Sequence, residues 1–281
     1  MKLVKVLAAA ALVAVASPSF AEERWQTLPE PAPMPKPTES GCAKVKGIEM
    51  YYQVFGSGEP VLLIHGGLGH GDLWSSQVAD LARDHMVIVP DSRGHGRSTR
   101  NGEPFGYDLM MDDYIALLDH LKIGRTALVG WSDGGIIGID IAMNHPDRLT
   151  RLFAQAANVT TGGIDPKGFE SKTFVAYIGR SRNDYKRLSR TPDGYDDFLK
   201  KMGLMWETQP SWDWKRLEKI AVPTAIVVGD HDEVIKRKHT EDIASAIPGA
   251  KLIILPDVSH FALLQDPEGY NKAVRDFIDA K

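Results

Sequence analysis

The sequence predicts an α/β fold: a mostly parallel central sheet flanked by helices, with a small lid inserted late in the chain. Three observations carry this. Short apolar runs alternate with segments of helical period along most of the 281 residues. The runs are apolar at consecutive rather than alternate positions, so both faces of each strand are buried, as in a parallel sheet covered by helices. The alternation breaks once, between about 157 and 215, where the chain turns polar and rich in Gly and Arg. That stretch is too long for a plain connection.

Taken in order, residues 1–21 stand outside the fold. Lys2 and Lys5 precede the apolar run "VLAAAALVAVA", and "SPSFA" ends on Ser19 and Ala21 in the small-x-small pattern of a signal-peptidase site. The run is too short for a membrane span, so the expectation is export to the periplasm or beyond, with no stable membrane insertion after cleavage. Cleavage removes two lysines and no acid, which takes the formal net charge from −4 to −6. That balance excludes a basic nucleic-acid binder. Residues 22–42, with "PEPAPMPKPTESG", read as a Pro-rich tether. Cys42, the single cysteine, allows no internal disulfide. "ESGC" is a poor lipid-attachment site, because it lies far from the apolar run and lacks an apolar residue three before the cysteine.

The core is expected over 43–156 and 216–281. A hairpin turning at Lys46-Gly47 opens it, with a second break at Gly56-Gly58. Strands follow at 61–64, 86–90, 126–130, 152–156, 225–229 and 252–255. Helices are expected at 72–83, 108–121, 133–144, 237–246 and 267–279, the third stopped by Pro146. Within the lid, 157–215, two short helices are expected at 168–178 and 195–206.

The chemistry concentrates at "GWSDGG" (130–135), where a strand runs straight into a helix. Gly130 and Gly134 flank Ser132 at −2 and +2, the pattern of a serine on a bend too tight for larger neighbours. A serine hydroxyl needs a base to take its proton, and the base needs a carboxylate to orient it. "AIVVGDHDEVI" puts Asp230 and Asp232 just past a later strand, and "LIILPDVSHFAL" puts His260 past the next.

These pieces, with "HGG" (65–67), "DSRGHGRS" (91–98), "GDHD" (229–232) and "SH" (259–260) in that order, resemble the α/β-hydrolases over essentially all of 43–281. "GWSDGG" followed by "AQAANV" is similar in particular to the valacyclovir-hydrolase branch, the biphenyl-hydrolase-like proteins. The resemblance implies Asp232 rather than Asp230 as the acid, since the family's acid closes a G-x-x-D turn. It implies an oxyanion hole made by the amides of Gly67 and Asp133. It also implies a place for the Asp133 side chain near a substrate amino group; the alternative reading has that carboxylate bonding backbone at the helix start.

The remaining candidates carry less chemistry. Trp206 and Trp74 are expected to wall the substrate pocket and His70 to reach its mouth. Met202, Met205, Trp212 and Trp214 fit lid-to-core packing. His65 and His95 hold glycine-rich turns, Trp131 belongs to the core, and His85, His120, His145 and His239 lie on helix ends or surfaces. The basic run "GRSRNDYKRLSR" (179–190) reads as a solvated helix face. No "GK[ST]" follows "GGLGHG", which excludes a phosphate cradle, and no H-E-x-x-H or cysteine cluster supports a metal. The expectation is a serine hydrolase cleaving small carboxylic esters through an acyl-enzyme, without cofactor. Lactone, aminoacyl or amide, and carbon–carbon bond hydrolysis use the same machinery, and a non-catalytic ligand receptor is the rival from another class.

Overall fold

The computed structural model describes residues 22–280; the expected signal segment 1–21 lies outside them. Strands β1 (Glu39–Val45) and β2 (Ile48–Gly56) form the hairpin, paired antiparallel from Glu39↔Val54 to Val45↔Ile48. Its two turn residues, Lys46 and Gly47, have φ of 40° and 77°, the positive pair that a two-residue turn between twisted strands requires. The chain then builds β3 (Glu59–Ile64), α1 (Ser75–Leu81), β4 (His85–Pro90), α2 (Tyr107–His120), β5 (Thr126–Trp131), α3 (Asp133–Asn144) and β6 (Leu149–Gln155). After the lid come β7 (Thr224–Gly229), α6 (Arg237–Ala246), β8 (Lys251–Leu255), α7 (Ala262–Gln265) and α8 (Pro267–Ile278), the lid itself contributing helices Lys172–Leu188 and Tyr195–Thr208, here α4 and α5.

One eight-stranded sheet holds the molecule, in the order β1-β2-β4-β3-β5-β6-β7-β8. Only β2 runs against its neighbours; from β4 onward every pair is parallel. Every residue of β5 and β7 is buried, as strands covered by helices on both faces must be. All six parallel strands therefore end at one rim, and the loops leaving that rim carry the candidate site.

Several expectations change. The tether is not free. Gln265 Nε2 donates to the carbonyls of Trp25 and Thr27 at 3.1 and 2.8 Å, and the Arg180 guanidinium donates to those of Leu28 and Pro29. The Trp25 ring stacks on His231 with centroids 4.5 Å apart. The accepting carbonyls all lie within residues 25–29, so this segment is fastened by side-chain donors reaching out to it from Gln265 and Arg180. The sheet also begins at Glu39, not after Cys42; Cys42 lies inside β1 opposite Tyr51 with its thiol exposed.

α4 is also longer than expected. Ser171 caps it, accepting from the Phe174 amide at 3.1 Å, and it continues ten residues past its expected end at 178. Buried Phe174, Tyr177, Ser181 and Tyr185 recur on one face, a helical period hidden in the sequence by Gly179 and the surrounding charges. Those charges are paired rather than merely solvated: Arg182 with Asp196, Arg187 with Asp184, and Arg190 with Glu49.

Candidate active site

At the β5–α3 corner Ser132 adopts φ 55° and ψ −119°, a region that a residue with a Cβ enters only where its surroundings force it. The surroundings are the two glycines. A Cβ on Gly130 would sit 2.2 Å from the Gly134 oxygen, and one on Gly134 would sit 2.0 Å from the Ile64 oxygen. No larger residue fits, so the strand turns into the helix without an intervening loop. The Ser132 amide is held by the Gln155 carbonyl at 2.8 Å. Its side chain stands at the positive end of the twelve-residue α3.

His260 and Asp232 meet it there. His260 Nε2 lies 3.0 Å from Ser132 Oγ, and Nδ1 lies 3.2 and 3.1 Å from the two Asp232 oxygens. The His260 side chain is 3% exposed and that of Asp232 1%, so the contacts are shielded from water. Asp232 is itself fixed, with Oδ1 accepting from the amides of Val234 and Ile235 at 2.9 and 2.8 Å. Asp230 faces solvent instead and, among the described residues, accepts only from the Val258 amide, at 3.3 Å. Burial alone would lower the His260 pKa, but the charge and hydrogen bond of Asp232, with Glu233 and Asp133 behind them, raise it above its ordinary value.

The backbone of His260 is pinned as tightly as its ring. Its carbonyl accepts from Trp131 Nε1 at 2.8 Å and Gln155 Nε2 at 3.3 Å, and its amide donates to Glu233 Oε2 at 3.0 Å. Trp131 is fully buried, as expected of a core residue. Glu233 and Gln155 were not singled out by the sequence; a glutamate directly after the candidate acid was the one available signal.

Gly67, on the loop after β3, and Asp133 flank the Ser132 recess with Trp131, Tyr107, Tyr177 and Trp206. Tyr177 of α4 donates to the Gly67 carbonyl at 2.9 Å, which sets the peptide plane on that side. Gly67 has no room for a side chain: a Cβ would come within 2.4 Å of Trp206 and 2.6 Å of Asp133 Oδ2. Among the described residues no acceptor takes the Gly67 amide or the Asp133 amide.

The Asp133 side chain departs from the local-backbone reading. Its oxygens accept from Tyr107 Oη at 2.8 Å and from Trp206 Nε1 at 3.1 Å each, so it ties the lid helix α5 to the floor of the recess. Burial pushes its carboxyl up to about 6, against the pull of those two donors.

Three further expectations are corrected. Trp74 is fully buried and packs against Tyr270 of α8 at 6.0 Å; the turn at Gly71–Trp74 aims it beneath that helix, away from the recess. His70 is also buried, its Nε2 3.2 Å from Asp184 of α4, so it braces the lid and reaches no pocket mouth. His239 is not a surface residue. It accepts from the Val159 amide at 3.1 Å under the Trp214 ring, because the chain leaving β6 crosses the first turn of α6. His65 does hold its loop, accepting from the Ser92 amide at 2.9 Å, and burial lowers its pKa to about 4. His95 Nδ1 lies 2.8 Å from the Arg93 carbonyl.

Similarity to known proteins agrees with this rim. The profile of the Alpha/beta hydrolase family matches residues 61–273. The chain is 27% identical over 254 residues to the serine hydrolase BPHL of Homo sapiens, covering 85% of this chain and 86% of that protein. It is 26% identical over 252 residues to 3-oxoadipate enol-lactonase 2 of Acinetobacter baylyi, covering 81% and 92%. In fold it superposes on the meta-cleavage product hydrolase CumD of Pseudomonas fluorescens IP01 with a TM-score of 0.74 at 21% identity, over 86% of this chain and 98% of that one. The order of the strands, the glycine-flanked serine and the matched span agree: the chain belongs to the alpha/beta hydrolase family.

Proposed function

We propose that the protein is a serine hydrolase of small carboxylic esters working through an acyl-enzyme. The observation that carries the reading is the unbroken line of contacts from Asp232 through His260 to Ser132 Oγ. In the first half-reaction Ser132 Oγ attacks the ester carbonyl carbon while His260 Nε2 takes the hydroxyl proton. The oxyanion of the tetrahedral intermediate rests against the amides of Gly67 and Asp133, such donors being worth roughly 3 kcal/mol each. His260 returns the proton to the departing alkoxide, the C–O bond breaks, and the acyl group stays on Ser132. Water then repeats the sequence, giving its proton to His260 and releasing the carboxylic acid and free serine. Asp232 holds the ring with Nε2 toward serine and stabilises the imidazolium that forms. No step asks for a cofactor.

The test is a burst of 4-nitrophenol from 4-nitrophenyl acetate in wild type, with kcat lowered on the order of 10⁶-fold in Ser132→Ala. An unchanged rate in that variant would overturn the proposal. Because His260 acts as a base with a raised pKa, kcat/KM rises with pH through an apparent pKa above the ordinary 6.5. Asp232→Asn lowers that midpoint and costs on the order of 10⁴-fold in kcat.

A lactone is an ester whose alcohol stays tethered, and the 26% identical enol-lactonase relative favours that reading second. Comparing a γ-lactone with the matching methyl ester separates the two. The ammonium role of Asp133 is tested by an aminoacyl ester against its deaminated analogue, equal kcat/KM counting against it. We infer also that the chain is exported, from the charged and apolar pattern of 1–21. Among the described residues no helix is long and apolar enough to cross a membrane. Cell fractionation with sequencing of the mature N-terminus checks this, and the inference expects Glu22 as the first residue.

A further inference from the structure

The recess around Ser132 holds only about 30 Å³, room for about one water. Beside it, between α4, α5 and the segment 161–169, lies a much larger hollow of about 560 Å³. Ile164, Phe169, Phe174 and Trp206 line both spaces. These four side chains form a partition, with the serine hydroxyl on one side and the hollow on the other. Trp206 is held in the partition by its hydrogen bonds to Asp133; the other three contribute only apolar surface.

We propose that the hollow seats an uncharged apolar arm of the substrate, alkyl or aryl, whose ester carbonyl reaches Ser132 when the Trp206 indole swings aside. The proposal rests on the ester-hydrolase reading above and adds the substrate class to it. Continuity argues for this occupant, because a molecule filling the hollow touches the same four side chains that enclose the reacting centre. The composition of the walls argues for its chemistry. Pro166, Ile178 and Leu199 extend an apolar lining in which, among the described residues, Thr161 and Glu207 are the only hydroxyl or charged side chains and no lysine or arginine occurs. A free carboxylate on the arm would find no lysine or arginine in the lining and only the like charge of Glu207 at its edge.

Gly203 supplies the means of testing this. It lines the hollow from α5, and a Cβ built there meets nothing within 4 Å. Gly203→Phe therefore projects a ring into open space, at a helical position where glycine is the weaker helix former. The experiment titrates hexan-1-ol, octan-1-ol and decan-1-ol into the full chain by calorimetry. The same proteins are then assayed with 4-nitrophenyl acetate and 4-nitrophenyl decanoate. Affinity is expected to rise roughly fourfold per methylene, and Gly203→Phe to weaken decan-1-ol at least tenfold and to lower the decanoate-to-acetate ratio of kcat/KM by a similar factor. Affinity independent of chain length, or decan-1-ol binding and ester ratio both unmoved in Gly203→Phe, would overturn the proposal. Should Gly203→Phe unfold, Leu199→Trp blocks the hollow from the same helix and is read in the same way. Chain-length-dependent binding without turnover of either ester leaves the hollow assigned and overturns the hydrolase reading. Turnover without such binding does the reverse.

Discussion

At Ser132 the backbone pays for the position of the hydroxyl. The angles φ 55° and ψ −119° suit glycine alone, and holding another residue there costs on the order of 1–3 kcal/mol. Ser132→Gly releases that strain and should raise the free energy of unfolding in urea by about 1 kcal/mol while abolishing turnover. Ser132→Ala keeps the Cβ and should show no such gain. Asp133 stores a second conflict. Its carboxyl titrates near 3.8 when exposed and at about 6 when buried in the fold. Below pH 3.8 both states are protonated; between that value and about 6 the folded state keeps a proton that the unfolded chain has lost. Stability therefore falls as pH rises through this window, by up to about 3 kcal/mol. Asp133→Asn has no proton to lose, and the difference in unfolding free energy between it and wild type should shift across pH 4–6 and stay flat above. A difference constant with pH would contradict the buried, raised carboxyl.

Elements bring these residues together, and they were unequally legible in the sequence. The strands β5 and β7 are runs with both faces apolar, and each ends within a residue of its expected bound. The glycines around Ser132 mark their corner because a steric rule selects them. Tyr107 and Tyr177, in contrast, sit in helices where nothing local tells a buried aromatic of the core from one facing a recess; only the closure of α4 and α5 over the rim makes the difference. Trp74 and Trp206 show the same ambiguity resolved in opposite directions. The strap at residues 24–29 was misread because its stability comes from donors distant in sequence. Gln265 holds it and also bonds Ser259 beside His260, its Oε1 accepting from the Ser259 amide at 2.7 Å. Gln265→Leu, similar in size, should cost about 2 kcal/mol and speed amide exchange over residues 24–29. Unchanged exchange there would show that Arg180 and the Trp25–His231 stack hold the strap without Gln265.

For the whole molecule, the parallel sheet collects the ends of β3, β5, β7 and β8 at one rim, and so places Gly67, Ser132, Asp232 and His260 within reach of one another although they are scattered over most of the chain. That convergence was legible, because the order of strands and motifs implies it. The shape of the lid was not, since its two helices meet the core through single side chains such as His70, Tyr177 and Trp206, each reading like any other buried residue. The central claim is that Ser132 is the nucleophile and His260 its base. Reacting the full chain with a fluorophosphonate and locating the adduct by peptide mass tests it most directly. The account expects one equivalent on the peptide bearing Ser132, formed orders of magnitude more slowly in His260→Gln. An adduct on another residue, or labelling at an equal rate without the imidazole, would contradict it.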